Sequence, residues 1–492
     1  MQKKILEIKG QDWMKGLYVQ TGMALGGLFR VASVFDPFER TGYLLPSLSS
    51  TELTAPATNP IKAITHWNDG TTQYLYGQSN TKLYQYLRNS PYTQTDVTAQ
   101  ITVSTNFCGG IYWIGGSGDD PRYVYSISAV GAANPSVRSN VLPVAGSDVE
   151  IHAGLNESKQ DIVPFCVGAD KKLYAGHTGA VASWTNNDSS GTTSAFLIDR
   201  GFTPRGLVND GRFLAIFADN NHATTTSRLV GNYSCKGYFW DYSQSTATAV
   251  WDFPGESYLL GAALLGDAIL VFGYNGIWVC NVASPPKMIL SFLGNSSIVK
   301  RPAHCYQIVS SGTSVYWGDS GTTGQYIYAY GSLPGSSKKI FYTPYQTHDS
   351  TYGHTALSYS SGVLFSAVDA PKFYVLNTGS TRGTASVQTA PISLPQPFRY
   401  SHAKVVLRSA LTSGQSVTFS VTNANATTVI SDSETQSYSA SNPKKTLLFR
   451  LTPTSTSNSV IEDLYFSISS TGAEVERVSL YGEPLEDANV IL

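Results

Sequence analysis

Residues Tyr258–Val279 read YLLGAALLGDAILVFGYNGIWV, the stretch of the chain that comes nearest to a membrane span. Four glycines interrupt it, whereas a membrane helix needs about 20 consecutive, predominantly apolar residues. Its core is better described as two short runs, Ala268–Gly273 and Ile277–Cys280, joined by Tyr274-Asn275-Gly276, a typical tight turn. The stretch therefore predicts a β-hairpin, and we expect no membrane span in this chain.

The same pattern of paired short runs recurs along the chain. Its other instances are Ile64–Trp67 with Gln73–Tyr76, Gly110–Ile114 with Tyr123–Ser128, Val163–Gly168 with Lys172–Tyr174, Arg212–Phe217 with Tyr238–Asp241, Ser314–Trp317 with Tyr326–Tyr330, and Val363–Val368 with Phe373–Leu376. The turns of the seven pairs are spaced by about 40 to 53 residues, the period of propeller blades. A four-stranded blade buries its faces only by stacking against neighbours around a ring.

These repeats predict an all-β protein with a β-propeller of six or seven blades, of which we favour seven. A long β-sandwich or a β-solenoid is the alternative. Near the C-terminus, short alternating runs such as His402–Leu407, Ser416–Val421 and Leu464–Ser469 predict a β-sandwich or jelly roll. We expect three segments: an extended N-terminal docking segment (1–55), the propeller (56–385) and the C-terminal sandwich (386–492).

The composition narrows the function classes. Charged residues make up 14% of the chain, against about 25% in an average globular protein. The net charge is −1 and no Lys/Arg run exceeds two residues, so we expect no sequence-specific nucleic-acid binding. Met1–Gly10 is basic but lacks an apolar run, which predicts no signal peptide. The five widely separated cysteines are expected to be reduced, buried thiols in a protein that folds inside a cell.

Two fragments resemble serine-protease signatures, Ala303-His304-Cys305 and Gly318-Asp319-Ser320-Gly321. The protease mechanism needs a His and a Ser from distant segments, with a buried Asp orienting the His. Here His304 and Ser320 are only 16 residues apart. Turn chemistry alone explains Gly-Asp-Ser-Gly, so we interpret this fragment as a turn between strands.

Other site patterns are incomplete. Trp317–Thr323 matches only the middle of a sialidase Asp-box turn, and the arginines show no cluster that could bind a carboxylate. His348, His354 and Asp119-Asp120 lack metal-site spacing, and Gly22–Gly27 lacks the Lys and Ser/Thr of a phosphate loop. The tryptophans in predicted strands, which we expect to pack between blades, are Trp67, Trp113, Trp240, Trp278 and Trp317. The sequence therefore predicts no catalytic, cofactor-binding or metal-binding residue, no cofactor and no enzymatic activity.

The order of parts resembles a known class of proteins. A Gly/Pro-rich opening (36–50, DPFERTGYLLPSLSS) precedes the aromatic β-repeats, and a Ser/Thr-rich end follows them (404–423, KVVLRSALTSGQSVTFSVTN, and 447–469, LLFRLTPTSTSNSVIEDLYFSIS). In layout, nearly the whole chain is similar to virion-associated propeller proteins of tailed double-stranded DNA bacteriophages, such as tail hub, nozzle or minor tail proteins. No diagnostic motif accompanies the resemblance.

The resemblance implies a structural, non-enzymatic protein of the virion tail that is made in the host cytoplasm. It also implies several copies per particle and contacts with portal, adaptor, tail or fibre proteins. The alternative from the residues is a carbohydrate- or receptor-binding propeller, in which exposed tyrosines and tryptophans would stack on a host glycan. A sialidase-like glycosidase is the less favoured third interpretation.

Overall fold

The structure is a computed structural model that describes residues 3–21, 24–37, 39–53, 59–88, 92–103, 106–115, 120–128, 134–152, 154–155, 162–186, 191–221, 233–321, 326–346, 352–423, 431–450 and 460–484. Within these ranges the chain is all-β, as predicted. The helical residues there form three short 3-10 turns, Gly10–Met14, Thr98–Gln100 and Cys305–Gln307. No helix in the described part is long and apolar enough to cross a membrane.

The strands are short and follow one another closely. In the first half of the chain they are β1 (Lys3–Lys9), β2 (Val19–Thr21), β3 (Ala24–Gly26), β4 (Phe29–Ser33), β5 (Thr51–Leu53), β6 (Ala63–Asn68), β7 (Gln73–Gln78), β8 (Leu83–Leu87), β9 (Gln94–Asp96), β10 (Asn106–Ile114), β11 (Pro121–Ser128), β12 (Ser136–Val141), β13 (Val149–His152), β14 (Phe165–Val167), β15 (Leu173–His177), β16 (Ala180–Trp184), β17 (Thr192–Leu197), β18 (Thr203–Asn209), β19 (Leu214–Asp219) and β20 (Cys235–Trp240). In the second half they are β21 (Ala249–Asp252), β22 (Leu259–Leu265), β23 (Ala268–Gly273), β24 (Gly276–Cys280), β25 (Lys287–Ser291), β26 (Ile308–Ser310), β27 (Ser314–Gly318), β28 (Tyr326–Ser332), β29 (Lys339–Gln346), β30 (His354–Ser360), β31 (Val363–Val368), β32 (Lys372–Val375), β33 (Thr384–Thr389), β34 (Ile392–Leu407), β35 (Ser416–Asn423), β36 (Ser431–Ser437), β37 (Thr446–Arg450), β38 (Val460–Thr471) and β39 (Val475–Pro484).

The chain divides into two compact units. We call the first the ring unit; it comprises Thr51–Gln325 and His348–Leu376. The second, the terminal unit, comprises Met1–Ser50, Tyr326–Thr347 and Asn377–Leu492. These units do not coincide with the three contiguous segments expected from the sequence (1–55, 56–385 and 386–492), because strands far apart in sequence pair with one another.

The ring unit is built from four-stranded antiparallel sheets. In its described residues the complete sheets have the orders β6-β7-β8-β9, β10-β11-β12-β13, β14-β15-β16-β17, β18-β19-β20-β21, β22-β23-β24-β25 and β30-β31-β32-β5, and β26 pairs with β27 as a hairpin. The first strands contact one another in the succession β6, β10, β14, β18, β22, β26 and β30, and β30 contacts β6. Four-stranded sheets in a closed succession of this kind have β-propeller character.

The last sheet of the ring unit contains a strand from the start of the unit. Strand β5 pairs with β32, with Leu53 opposite Phe373 and Thr51 opposite Val375. The sequence interpretation placed residues 51–53 in the N-terminal docking segment, and the structure corrects it. A pairing of two strands more than 300 residues apart leaves no local signal in a three-residue strand; here it joins the two ends of the unit and so protects an otherwise open edge.

A second repeat, which the sequence interpretation missed, lies in the turns between the first and second strands. In Asn68-Asp69-Gly70 and Asn209-Asp210-Gly211 each Asn side chain accepts a hydrogen bond from the Gly N–H, at 2.8 Å in both turns. Each Asp side chain accepts hydrogen bonds from the N–H groups two and three residues further on. These Asx bonds hold both turns in the same conformation. The repeated Asn-Asp-Gly could therefore have been recognised in the sequence as evidence that these two sheets are structural repeats.

The terminal unit contains a nine-stranded arrangement to which both chain ends contribute. Strand β1 pairs with β39, and β4 pairs with β33. Trp13 is fully buried, and its indole N–H donates to the Glu476 carbonyl at 3.0 Å. The described residues up to position 50 are thus part of a folded unit, which corrects the expectation that they form a separate extended segment; their docking role stays a prediction. The physical reason is that the apolar side chains of β1 and Trp13 gain part of their burial from the C-terminal strands, while Trp13 also stacks on Phe29 of β4.

One sheet edge of the terminal unit is covered by side chains. Among the strands that the structure describes, none pairs with the outer edge of β37; instead Glu434 of β36 accepts a hydrogen bond from the Arg450 N–H at 2.7 Å. Gln436, two residues on, donates to the Leu448 carbonyl. The two side chains occupy the place of a neighbouring strand, which protects this edge from pairing with another chain.

Replacing Glu434 and Gln436 together by alanine is expected to increase self-association through the exposed β37 edge. Backbone groups that lose their partners cost about 1–3 kcal/mol each when they stay buried, so pairing with another chain becomes favourable. Light scattering during incubation at 37 °C measures the effect. Thr435→Ala, on the same strand but pointing to the opposite face, should behave as the unmodified protein. Equal scattering from both variants would contradict the edge interpretation.

Candidate functional site at the centre of the ring unit

The segment Ala303–Gln307, which we call the central segment, enters the ring unit just before β26. The Gln307 side chain fixes its shape. Its carbonyl oxygen accepts a hydrogen bond from the Ala303 N–H at 2.5 Å, and its amide donates to the His354 carbonyl at 2.6 Å. Gln307 is buried. One buried amide therefore closes the 3-10 turn and ties it to the first strand of the β30 sheet.

Tyr306 reaches from the central segment to the opposite side of the ring unit. Its hydroxyl donates to the Val163 carbonyl, just before β14, at 2.7 Å. It also lies against Gly109 of β10, where an added Cβ would fall 2.1 Å from the hydroxyl oxygen. Gly109 has φ +154°, so both space and backbone conformation require glycine there.

Cys305 lies close to the backbone of a third sheet. A Cβ on Gly261 of β22 would lie 2.7 Å from the Cα of Cys305. Gly109 and Gly261 both follow a register shift in the first strand of their sheets. Similar shifts precede Gly206 in β18 and Ala356 in β30. A bulge bends a strand locally, and here two bulges bring the β10 and β22 backbones against the central segment.

The central segment thus contacts four of the sheets whose first strands form the closed succession. Because these sheets stand on different sides of that succession, the segment lies inside it. Its side chains His304, Cys305 and Tyr306 keep a little accessible surface, as expected of groups lining a narrow opening. The central segment therefore occupies part of the opening that a ring of sheets leaves at its centre.

The electrostatics of the central segment are those of neutral groups. Burial, with a smaller contribution from the positive charge of Lys62, lowers the pKa of His304 to about 4. Burial raises the pKa of Cys305 to about 12 and raises that of Tyr306 well above its usual value. At neutral pH the segment therefore presents a neutral imidazole, a thiol and a phenol. Such groups pack and form hydrogen bonds, and no ionised nucleophile or acid–base pair forms among them.

The residues of the protease-like fragments lie in different surroundings. The His304 ring packs edge-on against Tyr306, with 6.2 Å between the ring centroids. Asp319 accepts a hydrogen bond from the Gly321 N–H at 2.8 Å through its side chain, and from the His354 N–H at 2.7 Å through its carbonyl. Among the described residues no hydrogen bond joins His304 to Asp319 or Ser320. The bond from the Gly321 N–H to the Asp319 side chain is that of an Asx turn.

The other sequence candidates are scattered. His354 is buried and shares a hydrogen bond of 2.8 Å with the Ser366 hydroxyl, while Asp120 is exposed. His348, Asp119, Gly22 and Thr323 lie outside the described residues. In the described part of the chain no group of three or more His, Cys, Asp or Glu side chains could hold a metal ion.

The tryptophan expectation is confirmed. Trp67, Trp113, Trp240, Trp278 and Trp317 are all buried. Some of them link neighbouring sheets: the Trp113 indole N–H, in the β10 sheet, donates to the Lys171 carbonyl in the β14 sheet at 2.9 Å. The five cysteines are free thiols, as expected, although Cys166 and Cys305 are only partly buried.

Sequence reasoning missed Tyr306 and its two glycine partners. The readable signal was a glycine shortly after the start of several first strands, in Cys108-Gly109, Arg205-Gly206 and Leu260-Gly261. A glycine inside a strand indicates a bulge or a close backbone approach. No local sequence feature identifies the residue that such a glycine contacts, and the hydrogen-bonded residues Tyr306 and Val163 are 143 positions apart.

Comparison with known proteins gives distant structural likenesses alone. No protein-family model matches the chain, and no curated protein matches its sequence. Among solved structures, the Dos1 propeller is similar with 8% identity over 66% of this chain and 69% of that chain, at a TM-score of 0.30. PorZ, an essential bacterial surface component of the type-IX secretion system of Porphyromonas gingivalis, is similar with 10% identity over 81% of this chain and 46% of its own, at a TM-score of 0.41. Neither likeness bears on what this chain does.

Proposed function

We propose that this chain is a structural, non-enzymatic component of a tailed-phage virion, located in the tail as a hub, nozzle or minor tail protein. Its task is protein–protein docking with portal, adaptor, tail or fibre proteins, in several copies. The proposal rests on the layout of the sequence together with the contacts of the central segment. Ligand sites of proteins are concave, and here Tyr306 occupies part of the central concavity.

The proposed architecture is a seven-bladed propeller with a β-sandwich. Seven first strands follow one another in the closed succession. The hairpin β28–β29 follows β26 and β27 along the chain, so these four strands would form the sixth blade. In the terminal unit, β1, β39, β34 and β37 would form one layer and β4, β33, β38, β35 and β36 the other. Phe419 of β35 packs on Phe449 of β37 with 5.9 Å between ring centroids, as expected between facing layers.

The observation that best supports a structural role is the set of contacts made by the central segment. The Tyr306 hydroxyl donates a hydrogen bond to the Val163 carbonyl, and Cys305 lies against the Gly261 backbone. The Gln307 side-chain amide donates to the His354 carbonyl, so the segment contacts three sides of the ring unit. A ring tied at its centre is rigid, and a rigid body presents its outer surfaces at fixed spacings. That property serves a scaffold, whereas a transport or catalytic role would need the centre to be open.

The test is deletion of the gene from the phage that carries it, with the tagged chain supplied from a plasmid. We expect particles made without the chain to lack a complete tail and infectivity, and the supplied chain to restore both and to purify with the particles. Cross-linking followed by mass spectrometry would then name its neighbours. Intact, infectious particles that lack the chain would contradict the proposal.

Glycan binding, the alternative, has less support. Stacking on sugars needs exposed aromatic faces, and the strand tryptophans named above are buried. A glycan array with the purified chain separates the two functions. Specific binding of a glycan, or steady hydrolysis of one, would favour the alternative over the scaffold.

A further inference from the structure

The two units carry opposite net charge. The terminal unit contains 16 Lys and Arg and 13 Asp and Glu, whereas the ring unit contains 17 and 21, so their net charges are +3 and −4. The near-neutral total of −1 hides this division. Opposite potentials on two parts of one protein favour contact between the unlike parts of different copies.

The positive charge of the terminal unit is concentrated on one sheet face, which we call the basic face. It is the side of β1, β39, β34 and β37 turned away from the core, since the alternate residues Ile8, Val478, Ala403 and Leu447 are buried. The charged residues that the strand register places on the outward side are Lys4, Lys9, Arg399, Lys404, Arg450 and Arg477, with two carboxylates, Glu7 and Glu483. The basic face therefore has a surplus of four positive charges.

The basic face is open to solvent and only partly neutralised. The side chains of Lys9 and Arg477 are 61% and 39% exposed, and both share the Glu7 carboxylate, at 2.8 and 3.8 Å. No carboxylate among the described residues lies within ion-pair distance of the side chains of Lys404 or Arg450. Leu448, between them on the sheet, is 48% exposed. Two cations flanking an exposed leucine form a surface that an acidic partner could cover.

Acidic side chains recur in one kind of turn of the ring unit. Of the turns that join first to second strands, five carry an aspartate: Asp69, Asp120, Asp170, Asp210 and Asp267. In a ring of antiparallel meanders all such turns emerge at one end; we call this the acidic end. Lys171, Lys172 and Arg212 offset part of the charge in two of these turns, and the turns with Asp69, Asp120 and Asp267 carry no Lys or Arg.

We infer that the basic face of one copy docks on the acidic end of the ring unit of a second copy. The contact is head-to-tail, because the two surfaces differ, and the docked pair keeps one free acidic end and one free basic face for further copies. This inference rests on the proposed seven-bladed ring and deepens the proposed assembly in several copies. It concerns the purified chain alone, so its failure is distinguishable from failure of the tail function.

Sedimentation velocity of the purified chain tests the inference. At about 50 mM NaCl we expect the average mass to rise with protein concentration beyond a dimer, and at about 500 mM NaCl the association to weaken at least tenfold, because salt screens exposed charges. A basic-face variant, Lys404→Glu with Arg450→Glu, should stay monomeric. An acidic-end variant, Asp120→Lys with Asp267→Lys, should also stay monomeric; no hydrogen bond of the described structure is made by either aspartate side chain.

Mixing the two variants distinguishes this contact from other kinds of association. Each variant retains the surface that the other has lost, so the mixture should form dimers and stop there. The matched controls are Lys338→Glu, exposed in the terminal unit but off the basic face, and Asp252→Lys, exposed on β21 away from the acidic end; both should associate as the unmodified chain does. A chain that stays monomeric at low salt, or a mixture with no dimers, would overturn the inference.

Discussion

Replacing Tyr306 by alanine is expected to lower the free energy of unfolding of the ring unit by about 3–5 kcal/mol, as for other truncations of large aromatic side chains inside proteins. The variant removes the ring that lies against Gly109 and leaves the Val163 carbonyl without its partner. Because Tyr306 joins sheets that do not neighbour one another, the loss should extend over the whole unit. Urea unfolding followed by far-UV circular dichroism measures it.

Tyr306→Phe is the matched control. It keeps the ring and removes only the hydroxyl that donates to Val163, so we expect a loss of about 1 kcal/mol, the net contribution of one hydrogen bond. The thiol of Cys305 supplies a second measurement: a thiol reagent should modify it faster in Tyr306→Ala than in Tyr306→Phe. Similar small losses in both variants would show that the central segment does not hold the sheets together.

Replacing Leu53 by aspartate is expected to cost at least about 3 kcal/mol, since it places a carboxylate in an apolar cluster without a partner. Leu53 is only 4% exposed and packs with Ile61, Phe365 and Phe373. The strand that carries it joins the two ends of the ring unit, so its release also opens the edge of β32. Hydrogen exchange should increase first in β30, β31 and β32.

Leu53→Met, which conserves volume and apolar character, should cost less than about 1.5 kcal/mol. If hydrogen exchange in Leu53→Asp increased uniformly along the chain, or not at all, strand β5 would not act as the closing strand. Comparison of the aspartate and methionine variants separates the closing role of this strand from a general sensitivity of the core.

The class of fold was predictable because its signals are local. Ala268–Gly273 and Ile277–Cys280 form the hairpin β23–β24 that the turn Tyr274-Asn275-Gly276 indicates. The other paired runs of the ring unit also lie on neighbouring strands of one sheet where the structure describes their pairing. Alternation and turn residues act over a few residues, and each blade is a run of consecutive strands, so its pattern can be read along the chain.

The segment boundaries and the central site were not predictable from those signals. Strand β1 needs β39, β5 needs β32, and Tyr306 needs Val163. The alternation of apolar residues shows which face of a strand is buried, but it does not identify the residues that cover that face. The assignment of residues 1–55 to a separate segment was therefore wrong for β1, β4 and β5, whose partner strands lie near the other end of the chain.

Short amphipathic strands and tight turns, repeated about every fifty residues, follow from the amino-acid sequence alone, because backbone preference and side-chain polarity act between near neighbours. The pairing of distant strands, the meeting of the two ends of the ring unit and the contact of Tyr306 with Val163 follow only from the tertiary structure. Those contacts join residues 143 or more positions apart, and their energy exists only once the intervening chain has folded.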